Sequence, residues 1–346
     1  MKILAIETSC DETAAAIVKD GTKLIANCVS SSVNIHKKSG GIIPEIAARE
    51  QLKCIIPIIN ETLKQSRNLT INDIDIIAVT IGPGLIGSLL IGVETAKTIA
   101  YACKKPIIPV NHIFAHLYAN WLTTRIPQFP AIALVVSGGH TELFLIKNHN
   151  SFRWLGGTRD DAAGEAFDKT ARLLDLGYPG GPAISAAAEN FITKRQVLRL
   201  KNKIKLPRPM IKENNLEFSF SGLKTAVMRE INKLKAIQQF NQLTIQQLAY
   251  EIQESITDVL VDKTLKAAIK HKVKSIILGG GVAANKRLSE KFKFLIHNSY
   301  LSIPVFIPPP FLCTDNAAYV ASYAYFHNHP IPWQTIQAKP DLEVEV

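Results

Sequence analysis

The sequence predicts an internally duplicated α/β protein, two related domains with a ligand cleft between them, and three observations carry that expectation. The chain opens on an apolar hairpin, and a second hairpin of the same arrangement starts near residue 131. Each is followed by alternating helical and strand-like patterns, the signature of a repeated α/β unit. The third observation is size: 346 residues with 47% hydrophobic content exceed what one core usually fills.

Residues 2–6 read as a buried strand, 8–12 as a polar turn and 13–18 as a returning strand. Residues 42–63 carry the apolar spacing of a long helix and 74–80 form a strand. Gly82-Pro83-Gly84 then turns the chain into a helix over 88–103. A strand at 107–110 leads into a helix bearing His112 and His116. The pattern restarts with a strand at 132–136, the turn Ser137-Gly138-Gly139-His140 and a strand at 141–146. Helices dominate 160–272, and a strand at 275–278 runs into Gly279-Gly280-Gly281 with a helix over 284–298 behind it. A last strand at 305–307 and the stop Pro308-Pro309-Pro310 precede Asp315 and a helix over 317–326. The expected domains are 1–115 with a return of about 300–326, and 116–299 with helical insertions. Residues 327–346 are expected to form a loosely attached C-terminal extension.

The net charge of +11 is the kind that meets nucleic acid, another polyanion or an anionic membrane surface. It concentrates in 194–212, where Lys194, Arg195, Arg199, Lys201, Lys203, Lys205, Arg208 and Lys212 have no acidic neighbour. That segment reads either as a solvated connector or as a phosphate-backbone contact. Five scattered cysteines without a Cys-x-x-Cys pair argue against a disulfide framework or zinc ribbon. The opening apolar run of four residues is too short for a signal peptide, and no later run approaches the roughly 18 needed to span a membrane. A soluble, cytoplasmic protein is expected.

His112 and His116 stand four apart, so on a helix both imidazoles leave one face and could reach one metal ion. Asp315, at a strand-to-helix junction, is the best third ligand, although it could equally cap the following helix. Two imidazoles and a carboxylate suit iron(II) or zinc. The zinc-peptidase pattern fails, because Ile113 stands where that motif carries its water-activating glutamate. Gly279-Gly280-Gly281 can bring backbone amides close to a phosphate or nucleoside, with Asn285 one turn into the next helix. It is not a P-loop, since no Gly-Lys-Ser/Thr follows. Ser137 to Thr141 offers free amides at a bend, and Asp160, Asp161, Glu165 and Asp168 crowd a helix start, where Asp168 could accept from a ligand hydroxyl or amine.

Six stretches together resemble the bacterial TsaD family, tRNA N6-adenosine threonylcarbamoyltransferases once labelled glycoprotein endopeptidases. They are Glu7-Thr8-Ser9-Cys10-Asp11-Glu12-Thr13, Ser137-Gly138-Gly139-His140-Thr141, residues 161–169, Tyr178-Pro179-Gly180-Gly181-Pro182, residues 218–224 and Gly279-Gly280-Gly281-Val282-Ala283-Ala284-Asn285. The resemblance runs in order from about residue 1 to 326. It implies the actin-like, sugar-kinase-like ATPase fold, two related α/β domains around a nucleotide cleft. It also implies one divalent metal, iron(II) ahead of zinc, on His112, His116 and Asp315. Implied substrate contacts are Val136, Ser137, Gly138, Gly139, His140, Asp168, Gly181, Ser185 and Asn285. The implied reaction moves threonylcarbamoyl from threonylcarbamoyl-AMP to N6 of adenosine 37, in tRNAs reading codons that begin with A, and releases AMP. Implied partners are the tRNA, an inactive TsaB-like paralogue and a small TsaE-like ATPase. Asp11, in the opening hairpin, is the candidate for orienting or deprotonating the attacking amine, with an Asx-turn as its structural alternative. The family usually reads His-His-x-Glu-Gly/Ala-His around the metal histidines, whereas this chain has Asn111 and Phe114, losing a neighbouring imidazole and an outer carboxylate. The rival readings are a metal-dependent ATPase or small-molecule kinase on the same fold, and a nucleotide-binding scaffold without chemistry of its own.

Overall fold

A computed structural model describes residues 1–67, 69–193, 204–298 and 303–344. The first elements in chain order are β1 (Lys2–Glu7), β2 (Glu12–Lys19), β3 (Lys23–Ser31), α1 (Val33–Ser39), α2 (Pro44–Gln65), β4 (Ile76–Gly82), α3 (Ile86–Ala102), β5 (Ile107–Asn111) and α4 (His112–Leu117). Then come β6 (Ala131–Val136), β7 (Thr141–Asn148), β8 (Ser151–Gly157), α5 (Ala163–Leu173), α6 (Gly180–Thr193), α7 (Ser221–Ala236) and α8 (Gln242–His271). The chain closes with β9 (Ser275–Gly279), α9 (Lys286–Asn298), β10 (Val305–Phe306), α10 (Pro310–Cys313) and α11 (Ala317–Phe326). Among the described residues no helix is long and apolar enough to cross a membrane.

Two five-stranded sheets share one topology: β3-β2-β1-β4-β5 and, read in the same direction, β8-β7-β6-β9-β10. In each, the first strand pairs antiparallel with the second and parallel with the fourth, as β1 does with β2 and β4, and β6 with β7 and β9. The duplication expected from the two hairpins is therefore present strand for strand. The chain forms two compact units, Met1–Pro127 with Lys147–Phe152 and Pro308–Val346, and Gln128–Ile146 with Arg153–Ile307. The histidine helix lies wholly in the first unit, so it is not divided at residue 115.

In the first unit the sheet is buried on both faces, which is why its strands are near-continuous apolar runs rather than alternating ones. Ile3, Ala5, Ala14 and Ala16 face α11, packing against Ala317, Val320 and Ala321. Leu4, Ile6, Ala15 and Ile17 face the opposite way, onto Ile55 and Ile59 of α2 and Val93 and Ala96 of α3. In the second unit α8 touches β6, α5, α6, α7 and α9, and it is buried along most of its length.

Three expectations need correction. β3 and β8 are strands where none was expected, because they carry mixed polar and apolar residues at sheet edges and their periodicity is weak. The helix after the glycine run starts at Lys286, because Gly281–Ala284 first makes a 3-10 turn. The C-terminal extension is tied down rather than loose: Ile336 is 1% exposed. The Lys339 amide donates to the Ile81 carbonyl at 2.7 Å, and the Gly84 amide to that of Pro340 at 3.1 Å. Gly82 permits this approach, since a Cβ there would stand 1.8 Å from the Lys339 oxygen. Of the basic segment, residues 194–203 lie outside the described residues. Beyond them Lys205 and Lys212 are exposed, while Arg208 is bound to Glu251 and to Asp258 and so anchors the chain on α8.

Candidate metal centre and glycine-turn site

β5 ends at Asn111, whose side-chain oxygen accepts from the amides of Ile113 at 2.9 Å and Phe114 at 3.3 Å and so starts α4. The residue that departs from the family pattern thus has a local capping role. One turn of helix then sets the His112 and His116 rings 4.5 Å apart, centroid to centroid, with 6% and 1% exposure. Asp315 enters from the α10–α11 junction. Asn316, not Asp315, caps α11, accepting from the Ala318 amide at 3.0 Å. The Asp315 carboxylate is therefore directed elsewhere: Oδ1 lies 3.4 Å from His116 Nε2 and 3.8 Å from His112 Nε2. The three ligand atoms lie within 4.8 Å of one another. The donor set, two imidazole nitrogens and one carboxylate oxygen, can hold a single divalent ion and leave positions open.

Around this triad the structure adds a residue the sequence reading missed. Glu7, fully buried at the end of β1, has Oε2 3.1 Å from His112 Nδ1 and accepts from Thr80 Oγ1 at 2.6 Å. Its Oε1 accepts from the Ser9 amide at 2.6 Å. Donation from Nδ1–H to Glu7 leaves Nε2, on the Asp315 side, as the nitrogen that can give its lone pair to a metal. The available signal was an acid closing an otherwise apolar strand. Tyr319 completes the wall, its hydroxyl donating to Asp315 Oδ1 at 3.4 Å and its ring 4.7 Å from that of His116.

The electrostatics fit a cation. Burial pushes the Asp315 carboxyl up to about 6, with Glu7 and Asp11 acting the same way and His112 against them. Burial opposes charge on His112, but Glu7 and Asp315 outweigh it and raise the imidazole to about 9. Glu12 is driven to about 10, by burial first and then by Asp315 and Asp11. Carboxylates this crowded hold protons when no other positive charge is present. Asp11 belongs to the same cluster: it is 8% exposed in the β1–β2 turn, and its side chain hydrogen-bonds Glu12. Its backbone oxygen accepts from the Ser32 amide at 3.2 Å and from Ser32 Oγ at 2.8 Å.

The remaining candidates lie in the second unit, the first of them in the β6–β7 turn. Val136 ends β6, the Ser137 amide donates to the His140 carbonyl at 2.9 Å, and the His140 amide donates to Ser137 Oγ at 3.2 Å. Gly138, Gly139 and Gly181 face open space where a Cβ would stand. Gly164 and Gly280 are glycines for another reason, close approach: a Cβ would meet the Ser137 oxygen at 2.5 Å and the Val136 oxygen at 2.4 Å, respectively. The start of α5 and the β9 turn are thereby pressed onto the Val136–Gly138 bend. Asp168 accepts from the Gly180 amide at 2.6 Å and holds the turn that opens α6. Burial raises its pKa, more than the Gly180 amide lowers it.

Asn285 precedes α9 rather than sitting one turn inside it, and its Oδ1 accepts from the Leu288 amide at 3.0 Å. Its Nδ2 reaches Ser185 Oγ on α6 at 3.0 Å and Gln253 Oε1 on α8 at 3.1 Å. Asp160 serves structure, accepting from the amides of Phe220 at 2.7 Å and Ser221 at 3.1 Å at the start of α7. Asp161 pairs with Lys169 at 2.7 Å.

The family model described as tRNA N6-adenosine threonylcarbamoyltransferase matches residues 23–322. A protein of that name from Syntrophomonas wolfei is 48% identical over 342 residues, 98% of this chain and 97% of the relative. Another from Persephonella marina is 48% identical, covering 94% of this chain and 90% of the relative. Among solved structures, the activator of the 2-hydroxyisocaproyl-CoA dehydratase from Clostridium difficile, with bound ADPNP, superimposes with a TM-score of 0.50. It is 14% identical, over 94% of this chain and 95% of that one. HypF from T. kodakarensis gives a TM-score of 0.61 at 13% identity, over 94% of this chain and 48% of that one. At such identities these structures report the fold alone, which is the actin-like, sugar-kinase-like α/β fold.

Proposed function

Because the chain belongs to the tRNA N6-adenosine threonylcarbamoyltransferase family, and is a transferase of tRNA modification, we propose the following chemistry for its residues. The donor is threonylcarbamoyl-AMP, and the acceptor is N6 of adenosine 37 in tRNAs that read codons beginning with A. The observation that carries the proposal is the donor set of buried His112 and His116 with part-buried Asp315, backed by Glu7 and crowded by further carboxylates. These three side chains hold one divalent ion, iron(II) in preference to zinc. When bound, the ion supplies Lewis-acid stabilisation of charge on the adenylate phosphate or the carbamoyl oxygen.

The rest falls to the chain. Val136, Ser137, Gly138, Gly139 and His140 with Gly181 contact the adenylate, and Asp168, Ser185 and Asn285 fix its orientation. The attacking amine is a poor nucleophile, its lone pair delocalised into the purine, so positioning contributes most of the acceleration. As the N–C bond forms and the bond from carbamoyl carbon to phosphate oxygen breaks, AMP departs with that oxygen. The surplus proton on N6 passes to Asp11, which lies among the carboxylates beside the metal ligands.

The partners are those that family membership implies. Leu52 and Ile56 on α2 and Ile86 and Leu90 on α3 are exposed at i, i+4 spacing. The helices approach where Gly87 meets Ala48, so the four residues supply an apolar face suited to the helices of an inactive TsaB-like paralogue. A small TsaE-like ATPase completes the set, and the cytoplasm is the compartment that supplies tRNA. Incubation with threonylcarbamoyl-AMP, tRNA and these partners should release AMP in step with modified adenosine, read by mass spectrometry of digested tRNA. Unmodified tRNA together with phosphorylation of a small metabolite from ATP would replace this reading with that of a kinase.

A further inference from the structure

We infer that Gln253 is a positioning residue of the adenylate site, fixing Ser185 and Asn285 so that they present only hydrogen-bond acceptors to the ligand. The inference rests on the reading above that Ser185 and Asn285 touch the adenylate. Gln253 lies on α8, 4% exposed, while Ser185 and Asn285 are both partly exposed. Its Oε1 accepts from Ser185 Oγ at 2.8 Å and from Asn285 Nδ2 at 3.1 Å. Asn285 Nδ2 also donates to Ser185 Oγ at 3.0 Å.

Counting hydrogens settles the polarity. A serine hydroxyl has one hydrogen and two lone pairs, and a carboxamide nitrogen has two hydrogens. The serine hydrogen goes to Gln253, and the two asparagine hydrogens go to Ser185 and Gln253. Neither residue has a donor left. What remains is one lone pair on Ser185 Oγ and one on Asn285 Oδ1, whose other lone pair takes the Leu288 amide. Two outward acceptors suit hydroxyl donors, such as the diol of a ribose, and repel phosphate oxygens. The neighbouring residue on α8 keeps the arrangement in register: Glu254 holds Arg287 at 2.6 Å and Lys291 at 3.1 Å, so α8 grips the chain on the α9 side of Asn285 as well.

The test compares binding of AMP and 2′,3′-dideoxy-AMP by calorimetry, in the full-length protein and its S185A, N285A, Q253L and Q253E variants, with thermal midpoints alongside. Q253L should melt close to the wild type yet bind AMP about tenfold more weakly. Its preference for AMP over the dideoxy analogue should shrink toward none, because the freed hydrogens of Ser185 and Asn285 turn outward. Q253E keeps an oxygen that accepts both bonds, so it should restore both the affinity and the preference. If S185A or N285A loses AMP while Q253L binds and discriminates like the wild type, the role given to Gln253 is wrong. The same follows if Q253E behaves like Q253L. Wild-type binding by both S185A and N285A would overturn the adenylate reading itself, and this inference with it.

Discussion

Glu7 is the fully buried acid bound to His112 Nδ1, where Ser9 Oγ also approaches at 3.2 Å, and it sets the charge behind one metal ligand. Replacing it with Gln keeps the shape but removes the charge that favours a proton on Nδ1. E7Q should weaken metal affinity about 10- to 100-fold, read by competition with a chelator, with the fold intact. Wild-type affinity would leave Glu7 a purely structural acid. His149 gives a second residue-scale prediction. Tyr118 donates to its Nδ1 at 2.8 Å and Phe326 stacks on its ring at 4.2 Å, and burial, then His327, holds its pKa down to about 4 from 6.5. The unfolded chain therefore binds more protons than the folded one between those values. Stability is full above pH 6.5 and declines as pH falls toward 4. H149F keeps the stacking and should flatten that part of a plot of thermal midpoint against pH; an unchanged slope would assign it to other groups. At this scale legibility was uneven. The spacing of His112 and His116 was visible because a helix turn is a local rule, whereas Glu7 is 105 residues from His112 and Gln253 is 32 from Asn285. No local pattern links such pairs.

At the level of elements, the central strands were legible for the reason that made them central. With helices on both faces, β1, β2 and β4 became unbroken apolar runs bounded by turns. Among the described residues the edge strand β3 pairs only with β2, so half its pattern answers to solvent and the alternation blurs. The C-terminal segment was misread because proline and polar composition describe a chain without regular structure, and say nothing about whether it docks. Its anchoring is testable. Removing residues 331–346 takes away the buried Ile336 and the bonds from Lys339 to Ile81 and from Gly84 to Pro340. The loss should be at least the roughly 1.5–3 kcal/mol of one buried aliphatic side chain, seen as a lower urea midpoint. An unshifted midpoint would return the segment to a loose tail.

The molecule as a whole carries a net charge of +11, and its polyanionic substrate should feel it. Lys205 and Lys212 are exposed beside residues 194–203, and Arg208 is already neutralised by Glu251 and Asp258. Charge reversal at Lys205 and Lys212 should therefore weaken tRNA binding and lower its salt slope by about one unit per lost phosphate contact, while R208E should act on stability instead. Salt slopes identical to the wild type would remove these two lysines from the RNA contact. The duplicated topology was readable from the two hairpins because each begins a unit with the same strand order. The first unit takes its last helix from the return of Pro308–Val346. The first sheet needs α11, whose Ala317, Val320 and Ala321 cover one of its faces, and that helix follows the whole of the second unit in the chain. A ribosome thus releases every strand of the first sheet long before the helix that shields it. The second unit, apart from a six-residue excursion at 147–152, is contiguous and emerges complete beforehand. During synthesis the second unit can therefore mature first, while the first sheet waits with one greasy side bare until α11 follows it off the ribosome.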